Sequence, residues 1–260
     1  MKIALGIEYN GSAFHGWQAQ KDGVRTVQTS LEAALSKVAN HPVRVTCAGR
    51  TDTGVHALGQ VVNFETDALR SEHNWMQGAN TNLPYDVSVA WARPVSDDFS
   101  ARFSAVSRRY RYFILNRISR SSVLSDRVTW SHRPLDEKSM HQAAQALVGQ
   151  NDFSSYRALA CQAKSPVRTM HSIEVERRGE IIEIRLHANA FLHHMVRNIA
   201  GVLMSIGRGE QSVDWAAEIL AFKDRTKGGV TAPPHGLYFE QVEYPEEFEI
   251  PAPVQSGFPA

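Results

Sequence analysis

Residues 43–64 read VRVTCAGRTDTGVHALGQVVNF, and they place a polar, glycine-bearing loop between two apolar stretches. Apolar and polar residues alternate from 43 to 47, and a second apolar run occupies 61–64, as is typical of two β-strands. Asp52 lies in the loop between them, at a strand exit, where functional groups are often presented. The stretch therefore predicts a strand–loop–strand unit that carries a carboxylate at its turn.

Similar periodicities recur on both sides of this stretch. Before residue 105 they predict the order strand, helix, strand, loop, strand, helix, strand, with the first strand at 2–9 and the first helix at 27–39. The N-terminal alternation is that of a strand and not of a signal peptide. Later in the chain the periodicities predict strands near 110–114, 173–175, 182–186 and 237–242, and helices over 135–148, 192–206 and 213–222.

The expected fold class is α+β, with two similar halves and a basic active-site cleft between them. Each half is expected to be a mostly antiparallel sheet covered by helices. The predicted boundaries are an N-terminal domain at 1–105 with the loop of Asp52, a C-terminal domain at 106–245, and a Pro-rich, frayed tail at 246–260.

The composition is that of a soluble globular protein. Of the 260 residues, 43% are hydrophobic and 21% are charged, and no run approaches the ~20 apolar residues of a membrane span. Cys47 and Cys161 are far apart and have no metal-ligand spacing, which predicts two reduced thiols in a cytoplasmic protein.

The charge is unevenly distributed although the net charge is only +1. From Arg102 to Arg133 inclusive there are eight arginines, no lysine and one acidic residue, whereas five glutamates and no Lys or Arg follow Lys227. One basic face on a near-neutral protein is typical of a nucleic-acid binder, and a solvated charged face is the alternative.

Asp52 has both a structural and a catalytic interpretation. It could close an Asx-turn and pair locally with Arg50. It could also be a nucleophile or general base, because a nearby guanidinium favours the ionised carboxylate that either role requires.

Asp52-Thr53-Gly54 is also the tripeptide of aspartic proteases, in which two carboxylates share a proton. Here it follows Arg50-Thr51, and a cation beside such a pair would suppress the shared proton. The chain has no second Asp-Thr-Gly or Asp-Ser-Gly, so this class is rejected.

Metal and nucleotide cofactors have no support in the sequence. His56 follows Asp52 by four residues, and His193 and His194 are adjacent in a predicted helix, where neighbouring side chains point about 100° apart. No Cys-x-x-Cys, His-Glu-x-x-His, Walker or G-x-G-x-x-G pattern occurs. We therefore expect the two adjacent histidines to be polar-face residues.

Arginines and tyrosines suggest contacts with RNA. Arg197 lies off the apolar stripe of its predicted helix, as a surface arginine would, or as a partner of a carboxylate or phosphate would. In the segment RRYRY, a strand would point Tyr110 and Tyr112 to one face and the arginines to the other. Aromatic rings stack on unpaired bases and guanidinium groups bind phosphates, although tyrosines that face a core give the same pattern.

Four motifs in order resemble the bacterial tRNA pseudouridine synthase I (TruA) family. They are AGRTDTGVHALGQVVNFET at 48–66, RFSAVSRRYRYFILN at 102–116, FLHHMVRNIAG at 191–201 and GLYF at 236–239. The resemblance extends from residue 2 to about 244. Thr53 departs from it, since the family more often has a small apolar residue there, but threonine also fits a turn.

The resemblance implies isomerisation of uridine to pseudouridine at positions 38, 39 and 40 of the tRNA anticodon stem-loop. By the match to G-R-T-D, Asp52 is the nucleophile, and whether it attacks ribose C1′ or uracil C6 stays open. Tyr110 would pack against the target base, and Arg197 would pair with Asp52. Arg50 would help to displace the base, and Leu237 in GLYF is assigned to substrate binding.

Further expectations come from the same resemblance. Arg108, Arg109 and Arg111 are assigned to RNA binding, no cofactor or metal is required, and the partners are tRNA and a second copy of the chain in a homodimer. A non-catalytic tRNA-binding or RNA-chaperone protein on the same scaffold is the alternative. It would have no need for a nucleophile held between two arginines.

Overall fold

The computed structural model describes residues 1–21 and 23–253. The chain divides into two compact units, one formed by Met1–Val106 with the described residues from Tyr238 onward, the other by Ser107–Leu237. The strands are β1 (Lys2–Tyr9), β2 (Thr46–Cys47), β3 (His56–Glu65), β4 (Val87–Val95), β5 (Ser107–Asn116), β6 (Thr129–Ser131), β7 (Gly149–Asp152), β8 (Val167–Arg178), β9 (Ile181–Ala188) and β10 (Leu237–Glu243). The helices are α1 (Val27–Ala39), α2 (Glu72–Asn82), α3 (Glu137–Ala144), α4 (Met195–Gly207) and α5 (Trp215–Phe222).

The sheet of the first unit has the order β4-β1-β3-β10. Strand β1 pairs antiparallel with β3 and β4, whereas β10 joins β3 in parallel, with Tyr238 opposite His56. Residues 3–7 of β1 are all buried, as expected of a strand with neighbours on both edges and packing on both faces. Helix α2 packs on β4 and against α1.

The strand predicted at 43–47 is wrong in its length, because β2 contains only Thr46 and Cys47. The amides before it are bonded to side chains of α1: Val43 donates to Ser36 Oγ at 2.9 Å, and Val45 donates to Glu32 Oε1 at 3.1 Å. These amides are therefore satisfied by the helix and not by a neighbouring strand.

The sheet of the second unit has the order β5-β9-β8-β7, all antiparallel, and β6 adds to β5 in parallel. Tyr112 is fully buried, and its hydroxyl lies 2.6 Å from Thr129 Oγ1. Helix α3 packs on β8 and against α4. Together with the first unit, this arrangement confirms the α+β class and its mostly antiparallel sheets.

Helix α4 begins at Met195, three residues later than predicted. His194 has φ 61°, a left-handed conformation that interrupts the helical backbone, and its carbonyl accepts from the Asn198 amide at 2.9 Å. His193 and His194 therefore precede the helix, and their ring centroids are 4.1 Å apart. The prediction that these histidines lie on a helix face is wrong.

The rest of the described chain adds two observations. No helix among residues 1–21 and 23–253 combines the length and the apolar character that a membrane crossing requires. In the predicted tail, Glu246–Phe248 forms a 3-10 turn, and residues 254–260 lie outside the described residues.

Candidate active site

The turn that carries Asp52 is closed by backbone groups. The amide of Val55 donates to the Asp52 carbonyl at 3.1 Å, and Gly54 supplies the positive φ of 78° that such a turn favours at its third residue. The Gly54 amide itself donates to the carbonyl of Phe14 at 3.4 Å. A backbone hydrogen bond and the positive φ of a glycine therefore define the turn at Asp52.

Thr51, immediately before Asp52, is fixed at two points. Its hydroxyl lies 2.8 Å from that of Tyr9 at the end of β1, and its carbonyl accepts from the Trp17 amide at 3.0 Å. Gly16 approaches the same carbonyl so closely that an added Cβ would lie 2.7 Å from the oxygen. The residue before the carboxylate is therefore held by side-chain and backbone contacts together.

Gln60 fixes the beginning of the loop from within β3. Its side-chain nitrogen donates to the Gly49 carbonyl at 2.6 Å, and its side-chain oxygen accepts from the Gly49 amide at 3.4 Å. Gln60 is fully buried, so these bonds satisfy a polar group that would otherwise be costly in the core.

His56 follows the turn and is structural in its contacts within the first unit. Its Nδ1 accepts from the Gly11 amide at 3.1 Å, and its ring stacks on Tyr238 with centroids 4.5 Å apart. A ring nitrogen that accepts a backbone proton does not offer its lone pair to a metal ion. His56, at the start of β3, therefore links the turn after β1 to β10.

Arg50 and Asp52 differ in exposure, since Arg50 is exposed and Asp52 is half-buried. Burial raises the pKa of the nearby Cys47 thiol to about 11, against the attraction of Arg50 and Arg102 for the thiolate. The charge of Arg50 therefore acts on Cys47, at the start of the loop. The pairing of Arg50 with Asp52 stays a prediction.

Tyr110 is half-buried on β5, directly opposite Leu186 of β9. Its ring meets Phe191 edge to face at 4.9 Å, an arrangement that favours one ring orientation. Tyr112, two residues on, is completely buried. The two tyrosines therefore differ, because Tyr112 belongs to the core whereas Tyr110 retains exposed surface.

Arg197 lies in the first turn of α4 and is half-buried. Its Nε donates to the carbonyl of Ala232 at 2.9 Å, and the Ala232 amide donates to the Arg197 carbonyl at 3.1 Å. The positive charge of Arg197 also opposes the burial that raises the pKa of Tyr112. This contact set differs from that of a solvated surface arginine.

The three predicted RNA-binding arginines have different surroundings. Arg108 donates to the carbonyl of Asn189 at 3.0 Å, and Arg109 is half-buried. Arg111 forms an ion pair with the buried Glu183 and lies over the ring of Phe113 at 4.8 Å. Arg111 therefore has a structural role, whatever it contributes to binding.

Leu237 is buried at the start of β10, and its amide donates to the Pro234 carbonyl at 2.9 Å. Within the second unit, residues 232–237 connect the contact of Arg197 to Leu237. Arg50 and Asp52 belong to the first unit, and the other predicted site residues belong to the second.

The residues that anchor these side chains were not predicted from the sequence. Tyr9 was predicted only as the end of a strand, Gln60 only as part of the loop before the strand at 61–64, and Ala232 lies in a segment without periodicity. A polar glutamine directly before the buried pair Val61 and Val62 was the available signal, because a buried amide requires partners.

Known proteins similar to this chain agree with the motif order. A family model described as tRNA pseudouridine synthase matches residues 6–104 and 143–245. A protein from Alcanivorax borkumensis named tRNA pseudouridine synthase A is 59% identical over 250 residues, which cover 96% of this chain and 94% of the relative. Proteins of the same name from Nitrosococcus oceani and Pseudomonas aeruginosa are 59% and 58% identical, over 96% of this chain and 96% and 88% of the relatives.

The family match spans well over half of the chain, and the relatives align with nearly all of it. Together with the anchored Asp52 turn and the four motifs in order, these findings establish that the chain belongs to the tRNA pseudouridine synthase family of isomerases.

Proposed function

We propose that this protein converts uridine to pseudouridine at positions 38, 39 and 40 of the tRNA anticodon stem-loop, with Asp52 as the nucleophile. The family implies the positions and the role of Asp52. In the reaction the bond between N1 and C1′ breaks, a bond between C5 and C1′ forms, the C5 proton leaves and N1 gains a proton. The reaction is redox-neutral and needs no co-reactant.

The observation that carries the proposal is the anchored turn at Asp52. Thr51 is held by Tyr9 and Trp17, Gly54 donates to the Phe14 carbonyl, and the Val55 amide closes the turn on the Asp52 carbonyl. A carboxylate fixed in this way costs little reorganisation when a reacting centre reaches it.

The remaining roles follow the family motifs. Tyr110 packs against the target base, Leu237 contacts the substrate, and Arg197 partners the Asp52 carboxylate. A base within a stem must be flipped out before it meets a carboxylate, at a cost of a few kcal/mol, and Arg50 assists by occupying the vacated space. The edge-to-face packing of Tyr110 on Phe191 supports a stacking role, because it presents a ring of defined orientation.

Binding is proposed to draw on the arginine-rich segment. Arg108, Arg109 and Arg111 would grip phosphates on either side of the target, and such contacts offset the cost of flipping. We further propose a homodimer in the cytoplasm that works without a metal or nucleotide cofactor, as the family implies.

The test is tritium release from C5-labelled uridine in an unmodified tRNA transcript, because one C5 hydrogen leaves for each pseudouridine formed. We expect release by the native protein and none above background by Asp52→Asn or Asp52→Ala. Thr53→Ala is the matched control, since Thr53 is exposed in the same turn and its loss should change the rate by less than about twofold.

The outcomes separate the candidate functions. Release by Asp52→Ala would remove Asp52 as nucleophile. No release by the native protein, with tRNA binding retained, would favour the non-catalytic binding protein. Transcripts that keep a single uridine at 38, 39 or 40 then test the positions, and a transcript without any of the three should release no tritium.

A further inference from the structure

Residues 228–234, here called the strap, lie directly on helix α4. A Cβ added at Gly201 would collide with the carbonyl oxygen of Val230, and one added at Gly229 would lie 2.9 Å from the Val202 side chain. Contacts this close require glycine at both positions, because the Cβ of any other residue would overlap the neighbouring atoms. The strap has no regular secondary structure, so side chains have to hold it in place.

Asn198 of α4 holds the strap through hydrogen bonds of its side chain. It is only 1% exposed, and its side-chain nitrogen donates to the Tyr156 carbonyl at 2.7 Å. Its side-chain oxygen accepts from the Thr231 hydroxyl at 2.6 Å and from Arg225 Nη2 at 3.1 Å. The buried carboxamide is thus bonded through both ends, and one of those ends holds the strap.

Arg225 makes further bonds to the same segment. Its Nη1 donates to the Gly229 carbonyl at 3.1 Å, and its Nη2 also donates to Thr231 Oγ1 at 3.1 Å. Arg225 and Asn198 therefore meet at Thr231 and fix the strap on the N-terminal side of Ala232. On the other side, the Tyr112 hydroxyl donates to the Pro233 carbonyl at 2.8 Å.

Ala232 lies between these ties, and both of its backbone polar groups are bonded to Arg197. An arginine side chain has about 2 kcal/mol of rotamer entropy, so its orientation needs external constraints. Since Nε is bonded to the Ala232 carbonyl, the position of that carbonyl sets the plane of the guanidinium and the direction of its Nη groups. A displacement of the strap would turn the guanidinium with it.

We propose that Asn198, Thr231 and Arg225 are positioning residues that act through Ala232 to orient Arg197. The inference rests on the role of Arg197 in the proposed function, and it adds a set of residues with no contact to the reacting atoms. A misplacement of about 1 Å at a reacting group can lower a rate by about 100-fold, so a loosened strap should affect turnover more than binding.

Thr231→Val tests the inference with little change in side-chain shape. It removes the hydroxyl that bridges Asn198 and Arg225. We expect kcat for pseudouridine formation to fall about tenfold, while KM for tRNA changes less than about twofold. Ser131→Ala is the matched control, because Ser131 is also buried and its hydroxyl donates to the Arg133 carbonyl at 3.1 Å in the same unit.

A double-mutant cycle separates positioning from general destabilisation. If Thr231 acts through Arg197, adding Thr231→Val to Arg197→Lys should cause no further loss of kcat beyond about twofold. A tenfold further loss, or equal kcat values for Thr231→Val and Ser131→Ala, would overturn this inference and leave the proposed function intact. Full activity of Arg197→Lys would instead show that Arg197 has no role in the proposed function, and this inference would then fail as well.

Discussion

The hydroxyl oxygens of Tyr9 and Thr51 lie 2.8 Å apart, and this contact ties the residue before Asp52 to the end of strand β1. Both residues are buried, and burial raises the pKa of Tyr9 above its usual range, so its hydroxyl stays neutral. The position of the candidate nucleophile therefore depends on an inner strand of the first unit.

Removing either hydroxyl should impair turnover. For Tyr9→Phe and Thr51→Val we expect a loss of about 1 kcal/mol in the free energy of unfolding and a several-fold lower kcat, with KM for tRNA nearly unchanged. Denaturant unfolding and steady-state tritium release measure the two effects. Tyr244→Phe is the control in the same unit, since it removes a hydroxyl that donates to Ala101 at 2.7 Å. An equal loss of kcat in the control would contradict a specific role for the contact of Tyr9 and Thr51.

Gly16→Ala should be more damaging than its small volume suggests. Gly16 has φ 84°, and the new Cβ would lie 2.7 Å from the Thr51 carbonyl oxygen. Gly179 also has a positive φ, of 60°, but open space around it, so Gly179→Ala carries only the backbone strain of roughly 1 kcal/mol. We expect Gly16→Ala to unfold at a lower temperature than Gly179→Ala. We also expect Gly16→Ala to lose most of its activity and Gly179→Ala to keep it. Equal melting temperatures for the two variants would show that the loop accommodates the new Cβ without a loss of stability.

Arg111→Ala should lower stability as well as any affinity for tRNA. It leaves the buried Glu183 carboxylate with Arg185, at 3.4 Å, as its remaining ion-pair partner among the described residues, and we expect a loss of about 1–3 kcal/mol in the free energy of unfolding. Adding Glu183→Gln should restore much of that stability, as measured by denaturant unfolding. Arg109→Ala is the comparison, and its main expected effect is weaker, less salt-dependent tRNA binding. Unchanged stability of Arg111→Ala would leave Arg111 with a binding role alone.

Cys47 should make the protein sensitive to alkaline pH. Below pH about 8.5 the thiol is protonated in the folded and unfolded chains alike, so its contribution to stability is constant. Between there and its folded pKa of about 11, only the unfolded chain releases the proton, and the free energy of unfolding falls by up to about 1.4 kcal/mol per pH unit. The native protein should therefore lose up to about 2 kcal/mol more than Cys47→Ala between pH 8.5 and 10. Parallel stability profiles for the two proteins would contradict this expectation.

Hydrophobic periodicity predicted the long strands and helices. It failed where the backbone amides are bonded to side chains and not to a neighbouring strand. Strand β1 and helix α1 have the predicted bounds, because their apolar patterns are uninterrupted. Strand β2 was predicted too long, since Ser36 and Glu32 bind the amides before it. No local pattern could reveal that the strand predicted near 237 would lie parallel to β3, because that pairing joins residues more than 180 positions apart.

The reacting group of the candidate site could be predicted from the sequence. The residues that hold its loop and its arginine in place could not. Asp52 stood out because charge, glycine and threonine surround it in a short loop. Gln60 and Asn198 are buried amides whose partners come from elsewhere in the chain, and only the fold reveals those partners. The motif around Arg197 identified the arginine but not the carbonyl of Ala232 that orients it.

The pairing of β10 with β3 has a consequence for synthesis of the protein. Residues 1–106 leave the ribosome long before Tyr238 is translated, and at typical elongation rates the delay is on the order of ten seconds. During that interval His56 lacks the ring on which it stacks, and the adjacent edge of β3 is open to other strands. The first unit, although it begins the chain, is therefore among the last parts of the nascent protein to mature.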